Sequence, residues 1–192
     1  MKIALYLGSF NPFHNGHLEV IKTALNDFKM DKVVIVPTMQ NPWKKDKPIP
    51  LERRFQIIYL SLNKLFDKPH PRYTCGVSPL YEWVEISRIE KEMIPPYYSY
   101  ATLHALKTKY CKDEIYILCG EDTMNSIPDW MHGGKIIEDY DFLVVDRSAN
   151  AISSTQIREI LRTRNKMDAH YSDEKLANYV SSNVIDLLKK YY

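Results

Sequence analysis

The feature that most constrains this chain is the ten-residue segment GSFNPFHNGH, Gly8–His17, which joins an apolar run to a helical pattern. The apolar run Ile3–Leu7 is typical of a strand that is buried on both faces of a parallel sheet. Apolar residues recur at helical spacing from Gly16 onward, and Asn15 can cap the start of that helix. This order of strand, turn and helix predicts the first half of a βαβ unit, with the turn where such sheets bind ligands.

The alternation of strand and helix patterns continues to about residue 146, after which only helices are predicted. Further strands are expected at Val33–Val36, Ile115–Cys119 and Phe142–Val145, with short ones at Thr74–Val77 and Trp83–Ile86. Helices are expected at Leu51–Phe66, Tyr98–Tyr110, Ser154–Arg164 and Asp173–Tyr191. The sequence therefore predicts an α/β fold, a Rossmann-like doubly wound parallel sheet. A core over residues 1–150 and a small helical C-terminal lobe over 151–192 would form one domain.

The charge balance of the chain argues against a polyanion as its partner. Net charge is +2, and the 26 basic residues are dispersed, without the block or stripe that duplex nucleic acid requires. No apolar run approaches the roughly 20 residues of a membrane span, and no cleavable leader is evident. We therefore expect a cytoplasmic protein whose ligand is small, with no nucleic acid or membrane as partner.

His14 and His17 are three residues apart, so at the start of a helix both side chains can point toward one site. Imidazoles in that place can bind the phosphate oxygens on which charge builds during group transfer. Gly8 would allow a phosphate to approach the main chain, and Gly16 would leave free amides to face it. The alternative is that one histidine caps the helix and the other only packs.

The segment resembles the GxFxPxHxGH signature of the nucleotidyltransferase α/β-phosphodiesterase superfamily, and every fixed position is present. That superfamily includes pantetheine-phosphate adenylyltransferase, small cytidylyltransferases and class I aminoacyl-tRNA synthetases. Four later segments are similar to those of the nicotinate (or nicotinamide) mononucleotide adenylyltransferase family. The resemblance then spans nearly the whole chain.

The first two of these segments are VPTMQNPWK and LERRFQII. In the first, the resemblance implies that Thr38 lies beside the pyridine nucleotide and Lys44 on phosphate, with Lys45 as a rival for the second role. In the second, Arg54 matches the arginine of the family's Glu-x-Arg helix start. Its role is open between a ligand contact and an ion pair at the surface or within the structure.

The third segment, ILCGEDTMNSIPDW, is similar to the family's GxD followed by a tryptophan. The resemblance implies that Gly120 and Asp122 contact the nucleotide, with the Asp122 carboxylate on a ribose hydroxyl, and that Trp130 stacks on the pyridine ring. A tryptophan that only packs in the core is the alternative.

The fourth segment, ISSTQIR, resembles the family's ISSTxIR. The resemblance implies that Ser153, Ser154 and Arg158 converge on the triphosphate through hydroxyls, free amides and a guanidinium. A helix cap formed by Ser154 without any ligand is the alternative.

The chain departs from bacterial relatives at YYSYATL, Tyr97–Leu103, where they have a segment like SYTxDTL. Ala101 replaces the acid and Ser99 a threonine, whereas Thr102 is retained. The resemblance implies that Ser99 and Thr102 help to recognise the pyridine nucleotide. The choice between nicotinate and nicotinamide is therefore open.

The resemblance implies transfer of AMP from ATP to nicotinate mononucleotide, a step of NAD biosynthesis, with Mg²⁺ accompanying the ATP. Nicotinamide mononucleotide is the other acceptor that the resemblance allows. The products are the dinucleotide precursor and pyrophosphate. The alternatives are another small-molecule nucleotidyltransferase, of the phosphopantetheine or cytidylyl type, and a noncatalytic nucleotide sensor.

The catalytic candidates are His14, His17, Lys44 and Arg158. The expected ATP-binding residues are Gly8, Ser9, Phe10, His14, Gly16, His17, Gly120, Asp122, Ser153, Ser154 and Arg158. No protein ligand to a metal is assigned, and the oligomeric state is open.

Overall fold

The apolar run at the start of the chain forms the central strand of a five-stranded parallel sheet. The structure, a computed structural model, describes residues 1–39, 48–65, 80–146, 152–164 and 169–192. Its strands are β1 (Lys2–Gly8), β2 (Lys32–Pro37), β3 (Val84–Ile86), β4 (Glu114–Gly120) and β5 (Asp141–Val145). They lie in the order β3-β2-β1-β4-β5, and every neighbouring pair is parallel. The predicted fold class is confirmed.

Helices connect the strands and form the C-terminal part of the chain. They are α1 (Asn15–Asn26), α2 (Leu51–Leu65), α3 (Leu80–Trp83), α4 (Ser99–Lys109), α5 (Glu121–Ser126), α6 (Gly133–Asp139), α7 (Ser154–Thr163), α8 (Ala169–Ala177) and α9 (Ile185–Tyr191). Short 3-10 turns lie at Ile89–Lys91, Ile127–Asp129 and Ser182–Val184. None of the helices in the described ranges is long and apolar enough to cross a bilayer.

The side chains of β1 alternate between two apolar cores, one on each face of the sheet. Ala4 and Tyr6 pack in one core with residues of α1, α2 and the C-terminal helices α7–α9. Ile3 and Leu5 pack in the other core with residues of α4 and α6. Helices therefore cover both faces, which explains why the central strands are apolar at nearly every position.

Two predictions about helix boundaries are wrong. The single helix expected over Asp173–Tyr191 is divided, because Ser181 is extended (φ −63°, ψ 136°) between α8 and the turn that leads to α9. Serine and asparagine side chains compete with helical hydrogen bonds, and Asn183 donates its amide to the Leu60 carbonyl (2.9 Å). Asn15 is the first residue of α1, and His14 occupies the cap position.

The predicted strand at Trp83–Ile86 begins one residue later, because Trp83 ends the short helix α3. The predicted strand at Thr74–Val77 lies outside the described residues, as does the whole of 67–79. The remaining predicted elements are present with small shifts at their ends. The helices α5 and α6, each of seven residues or fewer, were not predicted.

Gly133 and Gly134 form a matched pair for testing how closely α6 packs. A Cβ atom at Gly133 would lie 2.0 Å from the Ile127 carbonyl oxygen, whereas one at Gly134 would meet nothing within 4 Å. We expect Gly133→Ala to lower the free energy of unfolding by at least about 2 kcal/mol through overpacking. Gly134→Ala should raise it by up to about 1 kcal/mol, because alanine favours helix. Urea unfolding measures both, and equal midpoints for the two variants would contradict the packing.

Glu85 anchors the edge strand β3 and makes the stability of the fold depend on pH. It accepts hydrogen bonds from Lys32 (2.6 Å), Lys109 (2.7 Å) and the Tyr110 hydroxyl (2.9 Å). Burial alone would raise the pKa of this carboxyl, but the three donors lower its pKa to about 2.

Because the folded pKa of Glu85 lies below the unfolded value of about 4.5, its contribution is complete above pH 4.5 and is lost as the pH falls toward 2. We expect Glu85→Gln to lower the free energy of unfolding at pH 7, and the difference from wild type to shrink across that window. Unfolding curves at several pH values test this, and a difference that stays constant down to pH 2 would refute it.

Candidate active site

The candidate site lies where the carboxyl ends of β1 and β4 are neighbours at the middle of the sheet. After β1 the chain continues into α1 on one face of the sheet, whereas after β4 it continues through α5 into α6 on the other. Chain connections that leave toward opposite faces open a crevice, and this is where open α/β sheets bind ligands. The segment Gly8–His17, called the signature loop below, begins at the end of β1.

The rings of the two histidines of the signature loop lie against each other at the start of α1, with an angle of 33° between their planes. Their ring centroids are 3.7 Å apart, and the main-chain N–H of His14 donates to Nδ1 of His17 (3.1 Å). Because Nδ1 of His17 accepts this bond, its neutral ring carries the proton on Nε2, which is then a hydrogen-bond donor of fixed direction. The His17 ring also stacks on Phe13, with centroids 5.0 Å apart. His14 is thus the cap and His17 is packed, and both remain suited to binding an anion.

Phe10 fills the space beside Gly8 and packs against the ring of His17. It has a positive φ of 44°, is 2% exposed, and its ring lies 5.0 Å from that of His17. A Cβ atom on Gly8 would come within 2.9 Å of this ring, and one on Gly16 would come within 3.1 Å of Nδ1 of His14. Both glycines are therefore required by aromatic packing in the loop itself, a reason that the sequence patterns did not reveal.

Three main-chain carbonyls of the signature loop each accept a side-chain hydrogen bond. Arg54 donates to the Ser9 carbonyl (2.8 Å), Arg158 to Asn11 (2.6 Å) and the Ser154 hydroxyl to Pro12 (2.9 Å). The helix α7 thus contacts the loop through two of the residues predicted from ISSTQIR. Each of these carbonyl oxygens is therefore satisfied by a donor within the protein.

Arg54 is a buried structural residue, neither a surface ion pair nor exposed to a ligand. It is 1% exposed, and it donates to the carbonyls of Ile49 (3.0 Å), Ser9 (2.8 Å), Thr38 (2.6 Å) and Met39 (3.3 Å). Burial lowers the pKa of Arg54 to about 10, so the guanidinium remains charged at neutral pH. One side chain therefore joins the signature loop, the segment after β2 and the start of α2.

Glu90 holds the other side of the segment after β2. Its buried carboxylate accepts from the main-chain N–H of Met39 (2.5 Å) and from the Thr102 hydroxyl (2.9 Å). Burial raises the pKa of Glu90, and these two donors and the Arg54 charge oppose that rise. Thr102 is 0% exposed, and its hydroxyl makes this contact with Glu90; its contact with the pyridine nucleotide stays a prediction.

Ser153, and not Ser154, caps the helix that follows. Its hydroxyl accepts from the Gln156 N–H (3.2 Å), and the Gln156 side chain accepts from the Ser153 N–H (3.1 Å), which forms a capping box. Ser154 is the first helical residue, and its hydroxyl is bonded to the signature loop. The interpretation of Ser154 as the cap is wrong because the helix begins one residue earlier than that role requires.

The remaining predicted contacts lie around the end of β4. Gly120 is buried and caps α5, and Asp122 is exposed in the first turn of that helix. Trp130 is half-buried and lines an apolar pocket together with Leu7, Leu103, Cys119 and Ile127. The pocket lies between the ends of β1 and β4, on the face of the sheet that α4 and α6 cover.

Two predicted contact residues, Thr38 and Ser99, belong to segments at the edge of this arrangement. The main-chain N–H of Thr38 donates to the Gly8 carbonyl (3.0 Å), so Thr38 is tied to the signature loop. Ser99 is half-buried and begins α4. Lys44 and its rival Lys45 lie outside the described residues.

Comparisons with known proteins show the family to which this chain belongs. The family model described as Cytidylyltransferase-like matches residues 5–160. A protein of Campylobacter jejuni subsp. jejuni (strain 81-176) named "Probable nicotinate-nucleotide adenylyltransferase" is 31% identical over 193 residues, which cover 100% of this chain and 97% of that protein. One of the same name from Aliarcobacter butzleri is 32% identical over 148 residues, 77% of this chain and 72% of that protein.

The chain belongs to the nicotinate-nucleotide adenylyltransferase family. Its fold is similar to the solved structure of Plasmodium falciparum nicotinic acid mononucleotide adenylyltransferase complexed with NaAD, with a TM-score of 0.73. That likeness covers 98% of this chain and 95% of the Plasmodium chain at 16% identity.

Sequence reasoning missed several residues that shape the site of this family member. The sequence motifs assign no role to the side chains of Asn11, Glu90 or Tyr192, although these side chains form hydrogen bonds within the signature loop or beside it. The sequence gives no signal for the burial of Glu90, because its neighbours Arg88, Lys91 and Glu92 are charged and exposed. Asn11 and Tyr192 are 181 positions apart, so no local pattern could pair them.

Arg54 and Arg53 are neighbours with opposite environments, which allows a controlled test of the buried arginine. Arg54→Met should lower the free energy of unfolding by about 3 kcal/mol or more, because it leaves main-chain carbonyls without their donor. Arg53 is exposed, with its guanidinium 4.8 Å from the centre of the Tyr191 ring, so Arg53→Met should cost less than about 1 kcal/mol. Chemical unfolding of both variants measures the difference, and similar losses would contradict the structural role.

Proposed function

We propose that this chain transfers the adenylyl group of ATP to nicotinate mononucleotide, forming the dinucleotide precursor of NAD and pyrophosphate. The observation that carries the proposal is the position of the paired rings of His14 and His17 just after β1, next to β4, the strand that leads to Asp122 and Trp130. One part of that crevice has donors for phosphate and the other has an apolar wall for a ring. The names of relatives that match along the chain support the same substrate pair.

The proposed reaction is a direct in-line displacement at the α-phosphorus of ATP. A phosphate oxygen of nicotinate mononucleotide forms the new P–O bond, and the bond between the α-phosphorus and the bridging oxygen breaks. Pyrophosphate leaves with that electron pair. A phosphate monoester is already ionised at neutral pH, so the protein has mainly to align the reactants and to stabilise charge.

His17 is suited to charge stabilisation because its Nδ1 is occupied by the His14 N–H and its Nε2 carries the proton. The ring of His14 lies against that of His17, and Arg158 of α7 donates a hydrogen bond to the Asn11 carbonyl of the same loop. We propose that these three groups bind the phosphates, together with Lys44. ATP enters as its magnesium complex, with Mg²⁺ held mainly by phosphate oxygens and water, as is common for this ion.

Recognition of the acceptor is proposed for the part of the crevice near β4. Trp130 offers an aromatic face to the pyridine ring, and Asp122 an exposed carboxylate to a ribose hydroxyl. Ser99, the first residue of α4, is proposed to contact the pyridine nucleotide as well.

The decisive experiment is a pyrophosphate-release assay with purified protein and a panel of substrates. ATP with nicotinate mononucleotide should be turned over, and ATP with nicotinamide mononucleotide more slowly. CTP in place of ATP, or phosphopantetheine in place of the mononucleotide, should give background rates. Turnover of ATP with phosphopantetheine, and with neither mononucleotide, would show that the acceptor is not a pyridine nucleotide. No turnover with any pair of substrates would point to a noncatalytic nucleotide-binding protein.

His17→Ala tests the proposed catalytic donor. We expect turnover to fall by a factor of about 10² or more, the size of the loss when an electrostatic donor to the transition state is removed. His104→Ala is the matched control, because His104 is exposed on α4, and its turnover should stay near that of wild type. Steady-state rates at saturating substrates make the comparison, and near-normal turnover of His17→Ala would overturn the assignment.

A further inference from the structure

The C-terminal helices contact the signature loop on both sides of His14. On one side, the Tyr179 carbonyl accepts the main-chain N–H of Asn15 (2.8 Å), and the Asn178 carbonyl accepts its side-chain amide (3.3 Å). On the other side, the Tyr192 hydroxyl is bonded to Oδ1 of Asn11. The loop is therefore held at two points, four residues apart, by one helical lobe.

The direction of the bond between Tyr192 and Asn11 follows from a second contact. The main-chain N–H of Ile49 also meets Oδ1 of Asn11 (3.2 Å), and since an amide N–H can only donate, this atom is the acceptor. The Tyr192 hydroxyl must then donate to it. Burial raises the pKa of Tyr192 well above its ordinary value, although Arg158 and Arg54 oppose that rise, so the hydroxyl keeps its proton at neutral pH.

Asn11 is linked to two groups of the proposed chemistry. Its main-chain carbonyl accepts from Arg158 (2.6 Å), and it stands three residues before His14 in the loop. A shift of Asn11 would therefore move its main-chain carbonyl, which orients Arg158. Because the loop is short, the same shift would also move the rings of His14 and His17. Displacements of about 1 Å in a catalytic arrangement are costly to rate.

We propose that Tyr192 is a positioning residue for adenylyl transfer: through its hydroxyl and Asn11, it holds the signature loop so that His14, His17 and Arg158 face the reacting phosphates. This inference rests on the proposed function and assigns Tyr192 no contact with substrate. Its ring packs against the same apolar core as α1, so the ring stabilises the fold while the hydroxyl serves the loop.

The test compares Tyr192→Phe with Tyr191→Phe, two substitutions that each remove only a hydroxyl. Tyr192→Phe should lower kcat by about tenfold, the effect of one lost hydrogen bond on the placement of the catalytic groups. The KM for nicotinate mononucleotide should change by less than about twofold, because the Trp130-lined pocket is not touched. Tyr191→Phe should match wild type in both constants. A kcat of Tyr192→Phe within twofold of wild type, or a loss confined to KM, would overturn the proposal.

A double-mutant cycle shows whether Tyr192 acts through Asn11. In the background of Asn11→Ala, adding Tyr192→Phe should change kcat by less than about twofold, because the bond is already absent. A full tenfold loss in that background would show that the hydroxyl acts by another route and would refute the proposed link.

A measurement without catalysis separates this inference from the proposed function. In NMR spectra of protein labelled with ¹⁵N-histidine, Tyr192→Phe should shift the ring signals of His14 and His17 but not those of His104 and His132. The latter belong to α4 and to the start of α6, which pack on the other face of the sheet. Unshifted signals of His14 and His17 would refute the role of Tyr192. A wild-type protein that is inert with every substrate would refute the proposed function while leaving this readout intact.

Discussion

The arrangement of the site depends on the buried guanidinium of Arg54. Its bonds to the carbonyls of Ser9, Thr38, Met39 and Ile49 join three stretches of chain that meet beyond the carboxyl ends of β1 and β2. A buried charge without such partners would be too costly to retain. Glu90 completes the arrangement, because its carboxylate binds the N–H of the same Met39 whose carbonyl faces Arg54. The two opposite charges thus hold one residue of the main chain between them.

Much of the fold could be predicted because its signals are local. The run Ile3–Leu7 is apolar on both sides, as a central strand covered by helices on both faces requires. The spacing of His14 and His17 places both rings at one helix start, where the structure brings their centroids to 3.7 Å from each other. The motif ISSTQIR, 135 positions beyond His17, is also found in contact with the signature loop through Ser154 and Arg158. The resemblance to a family joined these distant segments, which spacing alone could not do.

What could not be predicted depends on tertiary contacts. Arg54 looks like a helix-start cation in the sequence, and only its surroundings turn it into a link between loops. Thr102 matches the family's motif, yet its hydroxyl is taken by Glu90 from a different element. The break at Ser181 divides a pattern that is helical in its apolar spacing, because the turn also brings Asn183 to the end of α2. In each case a hydrogen bond between residues far apart in the sequence decides between two structures that the local sequence allows.

The hydrogen bonds on the signature-loop carbonyls have an electrostatic consequence. A bare carbonyl oxygen carries partial negative charge and would repel a triphosphate, but those of Ser9, Asn11 and Pro12 each have a side-chain donor. Two of those donors are guanidinium groups, so the loop's own dipoles are paired with full positive charges. The potential around the loop is thereby made more positive without a lysine or arginine inside the ten-residue segment itself. A chain of nearly neutral net charge can in this way concentrate attraction for phosphate at a single turn.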